Sequence, residues 1–414
     1  MTITNETKEA KAYRFRMYAL CWITSMFAGI VSTLMSTYLP VIARDIYGNS
    51  DTDTIATMGS YVSSIFLIGW TCGGMFLGLT ADKIGRVRAL MIAIVLYTLP
   101  TAIASLANSI EFLTICRFLS GAGIGATLVI TTTFIAELWK EKSRATALGI
   151  LANSFAVGIV CSGMLSYYIA DWHTAFIVSS LPIIMVLVVW LTMKESSRWH
   201  TAKNTASTKV SQMEHLLHSS NKGNFILATI MFGTMLIGLW AAFSWIPTWV
   251  QSLLGEDVDG RKQRGTVMML LGMGGIVGTF FAGFLSNRIG RKKSMLISYF
   301  GCFLAALLLF KTNATFSNLI FIETALLSLF FGLGQGVMTH YIPELFPTLI
   351  RGTATGFSFN IGRIATAIAV FFVGMIVSSL GGFANAVFVF SYAYLVGFGV
   401  TFFAKETKGV ALPQ

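Results

Sequence analysis

The sequence predicts an all-α polytopic membrane protein, with twelve transmembrane helices in two six-helix, pseudo-symmetric halves. Three observations carry that reading. Only 11% of the 414 residues are charged and 55% are hydrophobic, against about 25% charged in an ordinary soluble domain. Apolar runs of helical length recur from one end to the other. A short charged phrase, "GLTADKIGRVR" at 78–88, returns as "GFLSNRIGRKK" at 283–293.

An apolar run of 18 or more residues crosses a hydrocarbon core of about 30 Å as a helix. In lipid the helix is also the form that satisfies its own backbone. A membrane barrel would instead alternate polar and apolar positions over about ten residues; "LMIAIVLYTLP" and "FIVSSLPIIMVLVVWL" do not. The first span, 17–42, follows a polar, charged start with no small-residue cleavage site after it, so it reads as a retained helix rather than a signal peptide. Spans 58–80 and 89–107 flank the first charged phrase. Spans 112–135 and 146–170 flank "WKEKSR", and 174–193 closes the first half. The second half repeats the order: 225–253, then 266–286 and 294–311 around the second phrase, then 318–342 and 353–380 around Arg351, then 384–404. Residues 1–193 and 225–414 therefore read as the two halves, joined by a polar linker at 194–224.

The net charge of +11 raises the possibility of an acidic partner such as nucleic acid, but its distribution argues otherwise. With the N-terminus inside, 22 of the 29 basic residues fall on the inner side, while Arg44, Arg261, Lys262, Arg264 and Lys311 fall outside. The positive-inside rule then places both termini in the cytoplasm. The basic charge is an orientation signal, and no nucleic acid is implied. The five cysteines all fall within spans at no metal-ligand spacing and read as packed thiols; no metal or cofactor is expected.

The halves echo each other at three places in order. Besides the charged phrase, "FIAELWKEKSRATALG" (134–149) matches "YIPELFPTLIRGTATG" (341–356), with Glu137 and Arg144 spaced as Glu344 and Arg351 are. "ESSR" (195–198) matches "ETKG" (406–409). The offsets are 205, 207 and 211 residues, the mark of an internal duplication. Two six-span halves, each with a G-x-x-x-[DN]-[KR]-x-G-R loop after its second span, resemble the major facilitator superfamily over essentially the whole chain. "RFLSGAGIG" (117–125), the paired E-x6-R motifs, "ESSR" and "ETKG" narrow the resemblance. They point to the branch of sugar porters, aromatic-acid–proton symporters, niacin-type carriers and organic-ion transporters.

That resemblance implies a cytoplasmic gate between halves. Asp82, Arg86, Glu137 and Arg144 would stand in one half, facing Arg288, Arg291, Glu344 and Arg351 in the other. Asn287 replaces the acid in the second copy. The bland reading is that these loops are topological anchors.

Ionisable residues inside spans are costly and therefore functional candidates. Arg363 lies twelve residues after Arg351, about 18 Å along a helix at 1.5 Å per residue, too deep to snorkel. Its setting, "GFSFNIGRIATAI", resembles the eleventh span of organic-anion carriers, where an arginine faces the cavity and is implicated in anion recognition. A guanidinium fork suits a carboxylate; the other reading is a structural arginine paired to Glu323 or to carbonyls. The resemblance further implies that Arg117 belongs to proton coupling, yet the first span has no acid for it to pair with. Glu323 is the remaining in-span carboxylate, and is either a proton carrier or a solvated cap at the outer mouth. Tyr38, Asn153, Trp240, Trp245, Gln335 and Asn360 are the uncharged candidates for the cavity.

The expected activity is secondary transport of a small organic anion, a monocarboxylate or aromatic acid, by alternating access with a proton as the coupling ion. A proton-coupled carrier of sugars or other neutral solutes is the alternative. No Walker loop, zinc-protease motif or nucleophile elbow points to an enzyme or ATP-driven pump. The compact loops suggest a bacterial inner membrane, although "NAT" at 313–315 would serve as a glycosylation acceptor in a eukaryote; a functional monomer is expected.

Overall fold

The computed structural model describes residues 8–48, 51–139, 141–195, 219–255, 258–347 and 350–410. Most of the expected linker, 196–218, lies outside the described residues. So do the side chains of Asp82, Glu141, Lys142 and Ala145.

Helices α1 (Lys8–Tyr47), α2 (Thr52–Ile84), α3 (Arg86–Ala104), α4 (Ile110–Leu138) and α5 (Glu141–Tyr168) form the first five spans. The sixth is broken into α6 (Trp172–Ser179) and α7 (Ile183–Thr192). Pro182 makes the break, because it offers no N–H and its ring crowds the preceding turn; Ser180 N and Leu181 N tighten onto Ile177 and Val178 there. The seventh span is α8 (Ser219–Trp240), a 3-10 turn at Phe243–Trp245, and α9 (Ile246–Leu254), with Pro247 in the first turn of α9. Then come α10 (Arg261–Ile289), α11 (Arg291–Thr312) and α12 (Leu319–Glu344). The eleventh span divides into α13 (Arg351–Phe371) and α14 (Val373–Leu380), and α15 (Phe383–Thr401) is the last. Among the described residues, twelve spans are long and apolar enough to cross a membrane. The number is even, so the start of α1 and the end of α15 lie on one face, here the terminal face, opposite the distal face.

Lipid is as apolar as the side chains, so helices in a membrane associate through close packing of small residues and through hydrogen bonds. Gly73 and Gly125 bring α2 and α4 to backbone contact, and Gly278 and Gly332 do the same for α10 and α12. The duplication is thus visible in packing as well as in motifs. At the ends of these helices Gly85 (φ 103°) and Gly290 (φ 99°) take a backbone conformation costly for any other residue. Each lets one helix stop and the next start within a single residue.

The halves meet along two seams. In one, α2 lies against α13 and α14: Ser64 Oγ donates to Ala367 O at 2.8 Å, Ser378 Oγ donates to Asp53 Oδ1 at 2.8 Å, and Gly374 abuts Ala56 and Ser60. In the other, α5 lies against α10: Gly163 packs on Gly265, and Gly272 on Ala156 and Val160. Arg264, 4% exposed, donates from Nε to Thr37 O of α1 at 3.2 Å and from Nη1 to Gln251 Oε1. These described contacts all lie in the middle or toward the distal face. Toward the terminal face the described polar contacts stay within one half, and nothing lies near the Cβ positions of Gly352 and Gly356. Among the described residues, the contacts that join the halves thus lie in the middle of the bundle and toward the distal face.

Candidate functional site

At the terminal face the two charged phrases build the same cluster twice. In the first half Glu195 accepts from Arg86 N (2.8 Å) and Val87 N (2.9 Å), capping the start of α3. The Arg86 guanidinium meets Glu137 Oε1 at 3.0 Å from Nη2 and 3.2 Å from Nε. In the second half Glu406 accepts from Arg291 N (2.8 Å) and Lys292 N (3.1 Å), capping α11. There Arg291 grips Glu344 with both prongs, at 3.0 and 3.1 Å. Partial desolvation works against the charge of Glu406, but the N–H groups of Lys408, Arg291, Lys292 and Thr407 outweigh it and hold the carboxyl below its ordinary range. Asn287 Oδ1, standing where the first copy has Asp82, accepts from Arg291 Nη1 at 3.1 Å.

The pairing differs from the sequence expectation. Acids and bases were expected to join across the halves; the described pairs join helices of the same half. Arg351 donates to Pro343 O and Phe346 O, Arg288 is exposed, and Arg144 is half-buried with its Nε unpaired. The side chain of Asp82 lies outside the described residues. The physical reason is the glycine turn. It sets the N–H groups of α3 and α11 beside the glutamate that follows the sixth or twelfth span of the same half, and the next arginine is then nearest that half's own Glu137 or Glu344.

In the middle of the bundle Arg363 is half-buried on α13, at the seam with α2. Its guanidinium carbon lies 5.5 Å from the ring centre of Trp70 on α2 and 6.0 Å from that of Phe232 on α8. Its one described hydrogen bond is long, 3.4 Å from Nη1 to Asn360 Oδ1, and Asn360 Nδ2 is tied to Gly356 O at 2.9 Å. A guanidinium has five N–H donors, so most of this fork is unengaged, and no carboxylate meets it among the described residues. Further rings complete the surround. Trp70 packs edge-on to Trp240 at 5.6 Å and against Phe155 at 5.7 Å, while Phe232 stacks on Phe359 at 4.1 Å. Gln335 on α12 carries a buried amide nitrogen without a partner. Asn153 on α5 is half-buried and makes no hydrogen bond among the described residues.

The other sequence candidates stand elsewhere. Tyr38 is fully buried, and its hydroxyl donates to Ile169 O at 2.9 Å, pinning α1 to the loop before α6. Trp245 is 1% exposed, lies against Gly59 of α2 and stacks on Phe383 at 5.6 Å. Both belong to the distal seal. Arg117 is 1% exposed and donates to Val31 O (2.9 Å) and Ser32 O (3.4 Å) with Phe66 beneath it at 4.2 Å. It thus clamps α4 to the main chain of α1 without an acid. Glu323 is 7% exposed and accepts from Asn313 Nδ2 at 2.6 Å, which ties the loop between α11 and α12 near the distal face. Glu323 and Arg363 are not partners. Sequence reasoning missed Trp70 and Phe232, which face the cation, Phe155, which packs on Trp70, and Arg264, which bridges the halves.

The Major Facilitator Superfamily profile matches residues 21–370 and 261–411. The chain is 28% identical to the cis,cis-muconate transport protein of Acinetobacter baylyi over 357 residues, 84% of this chain and 85% of that one. It is 27% identical to the sialic acid transporter NanX of Escherichia coli over 391 residues, 92% of each chain. In structure it resembles the partially occluded, inward-open xylose transporter XylE of Escherichia coli, with a TM-score of 0.79 at 17% identity, covering 97% of this chain and all of that one. Motifs, packing and profile agree, and the chain belongs to the Major Facilitator Superfamily.

Proposed function

We propose that the chain is a secondary transporter that moves a small organic anion, a monocarboxylate or aromatic acid, across the membrane by alternating access. The observation that carries this is Arg363: a cation at mid-bundle, on the seam between halves, ringed by aromatic faces and free of any described carboxylate. A carboxylate fits the open fork in two parallel hydrogen bonds, and a conjugated or aromatic body fits between the rings of Trp70, Phe232 and Trp240. Asn360 touches the fork, and Gln335 and Asn153, on α12 and α5, are the candidates to read the rest of the substrate. Muconate and sialic acid, named for two relatives, both carry carboxylates.

The terminal face is the cytoplasmic one in this reading, supported by the inner-side excess of lysine and arginine, and the host membrane is a bacterial inner membrane. The Arg86–Glu137 and Arg291–Glu344 clusters stiffen the cytoplasmic end of each half, so that each rocks as a unit. A cysteine in place of Lys83 should react with an impermeant maleimide only from the cytoplasmic side; labelling from outside would reverse the orientation. Flux into proteoliposomes tests the activity with labelled cis,cis-muconate, benzoate, N-acetylneuraminate and xylose. One or more of the acids should enter and their methyl esters should not compete. Transport of xylose alone would overturn the anion reading.

A further inference from the structure

Charge in the middle of this bundle is one-sided. The chain has 18 acidic residues, and only Glu323 lies more than two residues inside a described span. Glu323 is held by Asn313 on the distal side, and it is not a partner of Arg363. His340 is at the terminal-face end of α12, with Nε2 3.1 Å from Ser286 Oγ. Besides Arg264, which is buried at the distal end of α10 on Thr37 O and Gln251, the cations deep in the described spans are Arg117 and Arg363, and they differ in kind. Arg117 is sealed inside one half on carbonyls of α1, so its cost is the same whichever way the carrier faces. Arg363 stands on the seam itself, with Trp70 of the other half over it, so its surroundings change as the halves rock.

We propose that this carrier works as an anion exchanger, swapping one carboxylate for another, and that the positive charge of Arg363 is what forbids the empty return. The inference rests on the anion-carrier reading above. To change its opening, the protein must pass through a state closed on both faces, in which Arg363 loses its water. A buried cation without a partner is strongly disfavoured, whereas one with a well-placed, hydrogen-bonded carboxylate is tolerated. The loaded carrier therefore crosses readily and the empty one slowly. A proton symporter avoids this problem with an acid that neutralises the cation on the empty return and takes a proton when substrate binds. Among the described residues no acid is placed to do that for Arg363. One carboxylate enters as one of equal charge leaves, and no proton needs to move with them.

The experiment uses the purified full chain in proteoliposomes, with labelled cis,cis-muconate as the probe and protein-free vesicles subtracted. At equal pH on both sides, uptake into vesicles preloaded with unlabelled muconate should be at least tenfold faster than into empty ones. An acid-outside pH gradient imposed on empty vesicles should drive no accumulation. Binding is followed separately by quenching of tryptophan fluorescence, since Trp70 and Trp240 border the site. Rates within twofold for loaded and empty vesicles, or accumulation driven by the gradient, would overturn exchange while leaving the anion carrier standing. Neither binding nor uptake of muconate, benzoate or N-acetylneuraminate would overturn both.

Discussion

The seam between α5 and α10 offers a perturbation whose sign the structure fixes. An ideal Cβ at Gly265 would stand 2.6 Å from Gly163 O and 2.9 Å from Tyr167 N, closer than side-chain carbons approach backbone. In a rigid core such overpacking costs about 1–3 kcal/mol. Here the two glycines belong to opposite halves, and under alternating access they part when the distal side opens. Gly265→Ala should therefore penalise this state and spare the one open on the distal face. At about 1.4 kcal/mol per factor of ten, the ratio of states shifts by roughly 5- to 150-fold. A reporter is Ala56, fully buried under α14 at the distal seam. In an Ala56→Cys background, the rate of maleimide alkylation should rise at least fivefold on adding Gly265→Ala. Gly73→Ala is the control, because Gly73 abuts Ala122 within one half. It should lower the melting temperature and leave the alkylation rate alone. Equal alkylation with and without Gly265→Ala, in a protein that folds and binds, would refute the claim that this seam opens.

Two further outcomes follow from the site and the caps. Trp70→Leu and Phe232→Leu each remove a ring facing Arg363, and a cation–π contact is worth about 0.5–2 kcal/mol; each should weaken acid binding by roughly two- to thirtyfold in calorimetry, and unchanged affinity in both would remove the rings from the site. Glu406 is held below its ordinary value of 4.5, so its contribution is present above that pH and is lost as the pH falls through the lower folded value. Wild type should therefore lose melting temperature relative to Glu406→Gln as the pH drops below about 4.5, and parallel curves would contradict the cap.

How much of this was legible in the sequence depends on the kind of residue. Spans and the duplication were readable because lipid imposes a length and the charged phrases recur in register. Arg363 was readable because a charge at that depth has few structural excuses. The rings facing it were not, since the chain has 33 Phe and 9 Trp. In a span, a ring facing lipid and one facing a cavity obey the same hydropathy. Trp70 and Phe232 come together only when α2 and α8 fold against α13. The terminal-face charges showed which residues mattered but not which pair, because Glu137 and Arg144 sit on separate helices and the Gly85 turn delivers Arg86 instead. Arg264 counted merely as an outside charge, yet it is buried and bonded to Thr37 O. Tyr38 and Trp245 looked like cavity residues by type, and their positions, far along α1 and in the 3-10 turn before α9, put them in the seal.

The most direct test of the account is the affinity of Arg363 variants for an acid and for its ester. Removing one partner of a buried, hydrogen-bonded charge pair costs about 2–5 kcal/mol, upward of thirtyfold in Kd. Calorimetry on wild type should therefore show binding of a transported acid and not of its methyl ester. Arg363→Ala should weaken the acid at least thirtyfold, and Arg363→Lys should recover only part of the loss, since the charge returns without the fork. An Arg363→Ala protein that is folded and binds every transported acid within twofold of wild type would contradict the account.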